Sequence, residues 1–176
     1  MTEFILMRHG EPDYSNSQRL GLRGHGHDLA CLTQSAVKQI KAVSKEKCFK
    51  AAEILVVSPY TRTMQTAEIM NRELQLDLIV DIDLREWTPD LTYQYTQHET
   101  VMASLKSYRE NNGVHPTGTT PIWEEKSSMR SRVLGCLEKY DGKYKCVLVV
   151  AHRQIIREIT GHSLEFGEFI KFRLLT

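Results

Sequence analysis

No stretch of this sequence approaches the roughly 20 consecutive apolar residues that a membrane-crossing helix needs; its strongest apolar run is Cys146-Val-Leu-Val-Val-Ala151. An excess of charge of one sign is also missing. At a formal net charge of +1, no long-range field favours nucleic acid or an anionic membrane, and neither is expected as a partner. Cys31, Cys48, Cys136 and Cys146 form no CxxC pair and no regular spacing, which argues against a redox or disulfide framework. Cys136 and Cys146 lie in apolar-patterned segments and read as reduced core thiols. The N-terminus lacks the positive n-region of a signal peptide: Thr2-Glu3 stands there, before an apolar run of only four residues. The expectation is a cytoplasmic chain. Internal repeats and low-complexity tracts are absent as well.

What is present is the composition of an ordinary globular protein, 41% hydrophobic and 26% charged over 176 residues, enough for one domain with a substantial core. Phe4 to Met7, Ile54 to Val57 and Cys146 to Ala151 are continuous apolar runs, as expected of strands covered on both faces. Leu78 to Val80 is a further short strand, and Phe169 to Leu174 an alternating one. Between them, Thr33 is placed as the N-cap of a helix reaching about Lys47, with Ala36, Ile40 and Val43 on one stripe. Met64, Ala67, Met70 and Leu74 mark a second helix. Further helices are expected over about Glu99–Glu110, along the stripe Met129, Val133, Leu137 and Tyr140, and over Gln154–Thr160. Pro12 to Cys31 reads as a polar loop. Strands alternating with helices predict an α/β fold, a three-layer α/β/α sandwich with a mostly parallel central sheet. The expected organisation is a single domain over 1–176, with a lid-like insertion at about 88–126 that has no core of its own.

The three apolar runs end alike: in Arg8-His9-Gly10, in Ser58-Pro59 with Arg62 close by, and in His152. In a parallel sheet all three ends share one edge, where ligands bind. Two arginines and two histidines would gather there. Guanidinium is permanently charged and matches phosphate oxygens bidentately, and Arg62 also opens a helix, whose free N–H groups favour an anion. One neutral imidazole can attack phosphorus and the other can stabilise the transition state as a donor.

Arg8-His9-Gly10-Glu11, Ser58-Pro-Tyr-Thr-Arg-Thr-Met-Gln-Thr-Ala-Glu68, Leu84-Arg-Glu86 and Val149-Val-Ala-His152 resemble, in that order, the histidine phosphatase superfamily of phosphoglycerate-mutase-like enzymes. Leu32-Thr33-x-x-Ala36 matches a further block in which the family usually has Gly in place of Ala36. The resemblance spans nearly the whole chain. It implies that His9 is the nucleophile that becomes phosphorylated, that Arg8 and Arg62 bind the phosphoryl oxygens, and that His152 is the second, charge-stabilising histidine. Glu86 takes the place of the acid/base carboxylate, and no metal or organic cofactor is implied.

Two departures bear on substrate contacts. Arg153 follows His152 where the family usually has Gly; it either adds a phosphate contact or caps the following helix. Mutases of the family carry an Asn and an Arg in the loop after the first Gly, and here Arg23 is the candidate for an extra substrate contact. Three other readings compete. His25-Gly-His27-Asp28 has the spacing of zinc ligands, but it leaves Arg8 and Arg62 without a role and fits a surface turn. A non-catalytic phosphate-binding homologue would not need reactive residue types at every core position. A mutase must keep its phosphoenzyme from water, for which the 88–126 segment is short. Its aromatics, with Trp87, Tyr93, Tyr95 and Trp123, either line a substrate pocket or pack. The expected function is hydrolysis of a small phosphomonoester through phosphohistidine.

Overall fold

A computed structural model of the chain describes residues 1–95 and 98–174. Along the chain the elements are β1 (Glu3–Arg8), β2 (Pro12–Asp13), α1 (Ser15–Arg19), a 3₁₀ turn over Gly24–Leu29, β3 (Cys31–Leu32), α2 (Gln34–Val43), β4 (Ile54–Val57), α3 (Thr61–Leu74), β5 (Leu78–Val80), α4 (His98–Glu110), α5 (Lys126–Glu138), β6 (Cys146–Ala151), α6 (Arg153–Thr160) and β7 (Phe169–Phe172). The five long strands form one sheet in the order β5-β4-β6-β1-β7. Neighbours are parallel except β7, which runs antiparallel to β1. This is the expected α/β/α sandwich.

Successive residues of a strand point to opposite faces, and the three central strands are apolar at every step. Phe4, Leu6, Ile54, Val56, Val147 and Val149 pack with α5 and α6 through Met129, Val133, Leu137, Ile155 and Ile156. Ile5, Met7, Leu55, Val57, Leu148 and Val150 face α2 and α3 through Ala36, Ile40, Ala67 and Met70. Each of these two cores hides its strands from water, which is why no polar residue interrupts the runs.

Local chemistry sets the helix ends. Thr33 caps α2, its hydroxyl accepting from the Ala36 N–H at 3.1 Å. Gly161, at φ +77°, closes α6 in the left-handed conformation. The helix expected to reach Lys47 stops at Val43, because the chain must turn inward to bury Phe49. The 12–31 stretch, expected as loop, holds the β2–β3 pair, α1 and the 3₁₀ turn. Its polar residues carry no apolar period that would have revealed them. In the 88–126 segment, Tyr108 and Trp123 are buried in the same cluster as α5 and α6, so the segment is anchored to the main core.

Candidate active site

Strand register builds the site. Arg8 lies opposite Ala151 and Val57 opposite Val150, so the residues that follow, His9, His152 and Ser58, leave neighbouring strands at nearly one level. The His9 N–H donates to the Ala151 carbonyl at 3.1 Å, and the two imidazole rings stand 5.1 Å apart, edge to face. Gly10 eases the close approach to α2: a Cβ there would come within 3.2 Å of the Ala36 Cβ and Ile40 Cγ1, tighter than ordinary contact.

Each imidazole has one nitrogen engaged. His9 Nδ1 lies 2.7 Å from the Gly10 carbonyl. A carbonyl only accepts, so Nδ1 carries the proton and Nε2 keeps its lone pair. Burial first, and then the Arg62 guanidinium, hold the His9 pKa well below its ordinary value, so the ring is neutral at pH 7. His152 Nε2 pairs with the Ser58 hydroxyl at 2.7 Å; its pKa is likewise depressed by burial and by Arg62. The buried His152 Nδ1, Arg8 Nε and Arg62 Nε have no hydrogen-bond partner within the protein. An unsatisfied buried N–H is costly, and the Arg8 and Arg62 Nε–H groups near His9 suit an anion; His152 Nδ1 joins them as a donor in the tautomer in which the Ser58 hydroxyl donates to Nε2.

The two arginines are held from outside. Arg8 donates to the Leu164 carbonyl at 2.8 Å and lies 3.7 Å over the Phe166 ring. Arg62, from the first turn of α3, pairs with Asp28 at 3.0 Å. Asp28 also meets His25 at 2.9 Å. The His25-Gly-His27-Asp28 turn is therefore a wall of the pocket rather than the idle surface turn expected. Among the described residues no group of three His, Cys, Asp or Glu side chains is placed to hold a metal ion.

Glu86 reaches the same pocket, accepting from the Trp87 N–H at 2.9 Å and from the Gln154 N–H at 3.3 Å, at the start of α6. Burial raises its pKa above the ordinary carboxylate range, outweighing those two N–H donors and Arg62. It forms no pair with its neighbour Arg85. Instead, Arg132 of α5 fixes the segment: its guanidinium donates to the carbonyls of Asp83 (2.6 Å), Arg85 (2.8 Å) and Glu86 (3.3 Å), and grips Glu124 bidentately at 2.6 and 2.7 Å. Glu124 in turn accepts from the Thr88 N–H.

The pocket, about 350 Å³, is lined by Arg8, His9, Arg62, Glu86 and Arg153 among others. His152 sits fully buried behind it. Arg153 donates to the Ser163 hydroxyl at 2.9 Å. Arg23 is not brought to the site: it is exposed and off the lining, and His25, His27 and Asp28 of the Gly24–Leu29 turn border the pocket in its place. Trp87, Tyr93 and Tyr95 line the pocket, but Trp123 does not; it is packed between Tyr108 and His115. Ser58, Asp28, Phe166 and the Arg132–Glu124 pair went unassigned in the sequence. Ser58, at the end of an apolar run, and Asp28, in the His25-Gly-His27-Asp28 motif, carried a signal there, though not for these roles.

The sequence profile of the histidine phosphatase superfamily (branch 1) matches residues 4–174. An uncharacterized phosphatase, PhoE, of Bacillus subtilis (strain 168) is 28% identical over 171 residues, which cover 94% of this chain and 81% of the relative. A probable phosphoglycerate mutase, GpmB, of Proteus mirabilis (strain HI4320) is 24% identical, covering 95% and 72%. Among solved structures, the mycobacterial glucosyl-3-phosphoglycerate phosphatase Rv2419c superimposes with a TM-score of 0.72 over 97% of this chain and 89% of its own, at 19% identity. At that identity the likeness speaks for the fold.

Proposed function

The chain belongs to the histidine phosphatase superfamily, and on that premise we propose that it hydrolyses small phosphomonoesters through a phosphohistidine at His9. The observation that supports this most is the neutral His9, whose Nδ1–H is committed to Gly10 and whose Nε2 lone pair is left near the unpartnered buried Nε–H groups of Arg8 and Arg62. Nε2 attacks phosphorus in line with the leaving oxygen. The N–P bond forms as the P–O bond breaks, and Glu86, whose pKa burial raises, delivers its proton to the departing alkoxide. Arg8, Arg62 and His152 Nδ1–H bind the equatorial oxygens as charge spreads over them. Water then attacks phosphorus, giving its proton to the Glu86 carboxylate, and the N–P bond breaks to restore His9.

Arg153, on the pocket lining beside Arg8, extends the substrate contacts; Arg23 takes no part. The 88–126 segment serves as a partial lid within a single domain. Tyr93 and Met102, both on the lining, are 38% and 47% exposed, which supports access of water to the phosphoenzyme. A phosphatase among the relatives agrees with this, and a probable mutase among them names the alternative. A cytoplasmic setting, which the four unpaired cysteines suit, is part of the same reading. No helix among the described residues is long and apolar enough to cross a membrane.

Partition tests the proposal. Supplied with a phosphomonoester and excess 3-phosphoglycerate, the protein should release inorganic phosphate and form little 2-phosphoglycerate. Predominant isomerisation, stimulated by a bisphosphorylated primer, would replace hydrolysis with phosphoryl transfer. Failure to label His9 would leave a non-catalytic phosphate-binding protein.

A further inference from the structure

Outward from the phosphate-binding end, the pocket wall is a succession of rings. His152 lies 5.1 Å from Tyr60, Tyr60 lies 6.0 Å from His25, and His25 stacks on Tyr93 at 4.5 Å and 27°. Beside it His27 stacks on Tyr95 at 5.6 Å and 14°, with Tyr14 6.4 Å from His27. Val101, Met102 and Leu105 of α4 line the same space.

The outer part of this wall is held together by backbone. The Gly24 N–H donates to the Tyr95 carbonyl at 2.9 Å. Gly24 has φ +48°, and a Cβ on it would lie 2.3 Å from the Tyr93 carbonyl oxygen, so only glycine lets the two loops touch. Tyr93 itself has φ +57°, a region that bulky side chains rarely occupy. Asp90 maintains that conformation: its carbonyl accepts from the Tyr93 N–H, and its carboxylate from the N–H groups of Thr92 and Gln94. A strained residue of this kind, held in place by its surroundings, is a mark of ligand-binding positions. Here the strain presents a ring to the pocket.

We propose that the Tyr60–His25–Tyr93 wall is the leaving-group subsite and that it takes a planar aromatic or heteroaromatic ring carried on the alcohol of the phosphomonoester. This rests on the phosphatase reading above. Three of the arginines on the described lining, Arg8, Arg62 and Arg153, gather where the phosphate binds, and only the exposed Arg109 lies on α4. With His25 already paired to Asp28, a second anionic group further out would meet only the exposed Arg109 and the imidazoles of His27 and His98 on the described lining. Both carboxylate oxygens of Asp28 are engaged by Arg62 and His25, so a polyhydroxylated group loses that acceptor. A flat ring instead stacks on surfaces that are already aromatic.

Three primary alkyl esters with alcohols of similar acidity test it: 2-phenylethyl phosphate, 2-cyclohexylethyl phosphate and glycerol 3-phosphate. The phenyl ester should have the highest kcat/KM, about threefold to tenfold above its saturated analogue, the range expected for one ring-stacking contact. Tyr93→Leu should reduce that ratio towards one, and Tyr93→Phe should keep it. Equal rates for phenyl and cyclohexyl, a preference for glycerol 3-phosphate, or a ratio unchanged in folded Tyr93→Leu would each overturn the assignment. Should no ester turn over, the phosphatase reading fails. The subsite is then read separately from inhibitor-free binding of 2-phenylethylphosphonate against 2-cyclohexylethylphosphonate to the unaltered protein, where equal affinities would overturn it.

Discussion

The two ends of the pocket are built in different ways. At the phosphate end, His9, Ser58 and His152 each follow directly from a buried parallel strand, and the ladder that pairs Arg8 with Ala151 and Val57 with Val150 sets their spacing. At the leaving-group end, His25, Tyr93 and Tyr95 come from two irregular segments held by one backbone hydrogen bond, a glycine and the turn around Asp90. Strands buried on both faces resist displacement, since shifting one would expose two apolar surfaces. Loops tolerate changes in length and side chain. The chemistry is thus placed on the part of the molecule that resists change, and the choice of ester on the part that accepts it.

The largest effect should come from the phosphate end and should be the same for every ester. His9→Ala removes the nucleophile, so phosphate release should fall to background while circular dichroism and thermal unfolding stay near normal. His152→Ala keeps the nucleophile and loses one transition-state donor, a change of about 10²–10³ in rate. Normal turnover by folded His9→Ala would break the division at its root.

Glu86 lies between the two ends, and its effect should depend on the ester. Glu86→Gln should slow alkyl phosphates by about 10²–10⁴, the usual contribution of a general acid, and nitrophenyl phosphate much less, because that group leaves without a proton. The pH profile should agree. Burial raises the Glu86 pKa, so the acid form, and alkyl-ester activity with it, should be lost as pH rises through that raised value. The depressed His9 pKa leaves the nucleophile neutral until the pH falls well below the ordinary imidazole range. A carboxyl with a raised folded-state pKa makes the native state hold more protons than the unfolded one, so stability falls as pH rises through the same interval. Glu86→Gln should abolish that fall. Equal slowing of both ester types would make Glu86 a binding residue.

A smaller effect is expected behind the site. Arg132→Lys keeps a charge for Glu124 but cannot donate at once to Glu124 and to the carbonyls of Asp83, Arg85 and Glu86. With Glu86 less well positioned, kcat on alkyl phosphates should fall about tenfold, within the range a slight misplacement produces. KM and nitrophenyl turnover should change little. Equal loss on both substrates would point to general disorder of the 83–88 segment.

Much of the phosphate end was legible because its signals are local. Cys146 to Ala151 can only be a strand covered on both faces, and Arg8-His9 and His152 could only end at the ligand-binding edge once the runs were read as parallel. The Glu86 position was legible through the Leu84-Arg-Glu86 block, but its support was not. Arg132 lies 46 residues from Glu86 along the chain and falls among ordinary polar helix positions of α5, with no period or motif to link the two. Trp123 and Tyr93 show the same limit. Both are aromatic residues in an irregular stretch, yet one is packed against Tyr108 and His115 and the other faces the pocket.

The alternation of strands and helices, the buried faces of the three central strands, and the reactive residue types at their carboxyl ends follow from short stretches of chain, because hydrophobic period and strand termination act over a few neighbouring residues. Packing between distant segments settled which His9 nitrogen stays free, why the Glu86 pKa is raised, how Asp28 comes to grip Arg62, and that His25 rather than Arg23 borders the pocket. Each of these depends on a partner or a burial that exists only after segments far apart in the chain have packed together. Gly24 marks the boundary between the two: its freedom to take φ +48° is a property of the residue, but the Tyr93 carbonyl that forbids any larger side chain arrives from nearly seventy residues away.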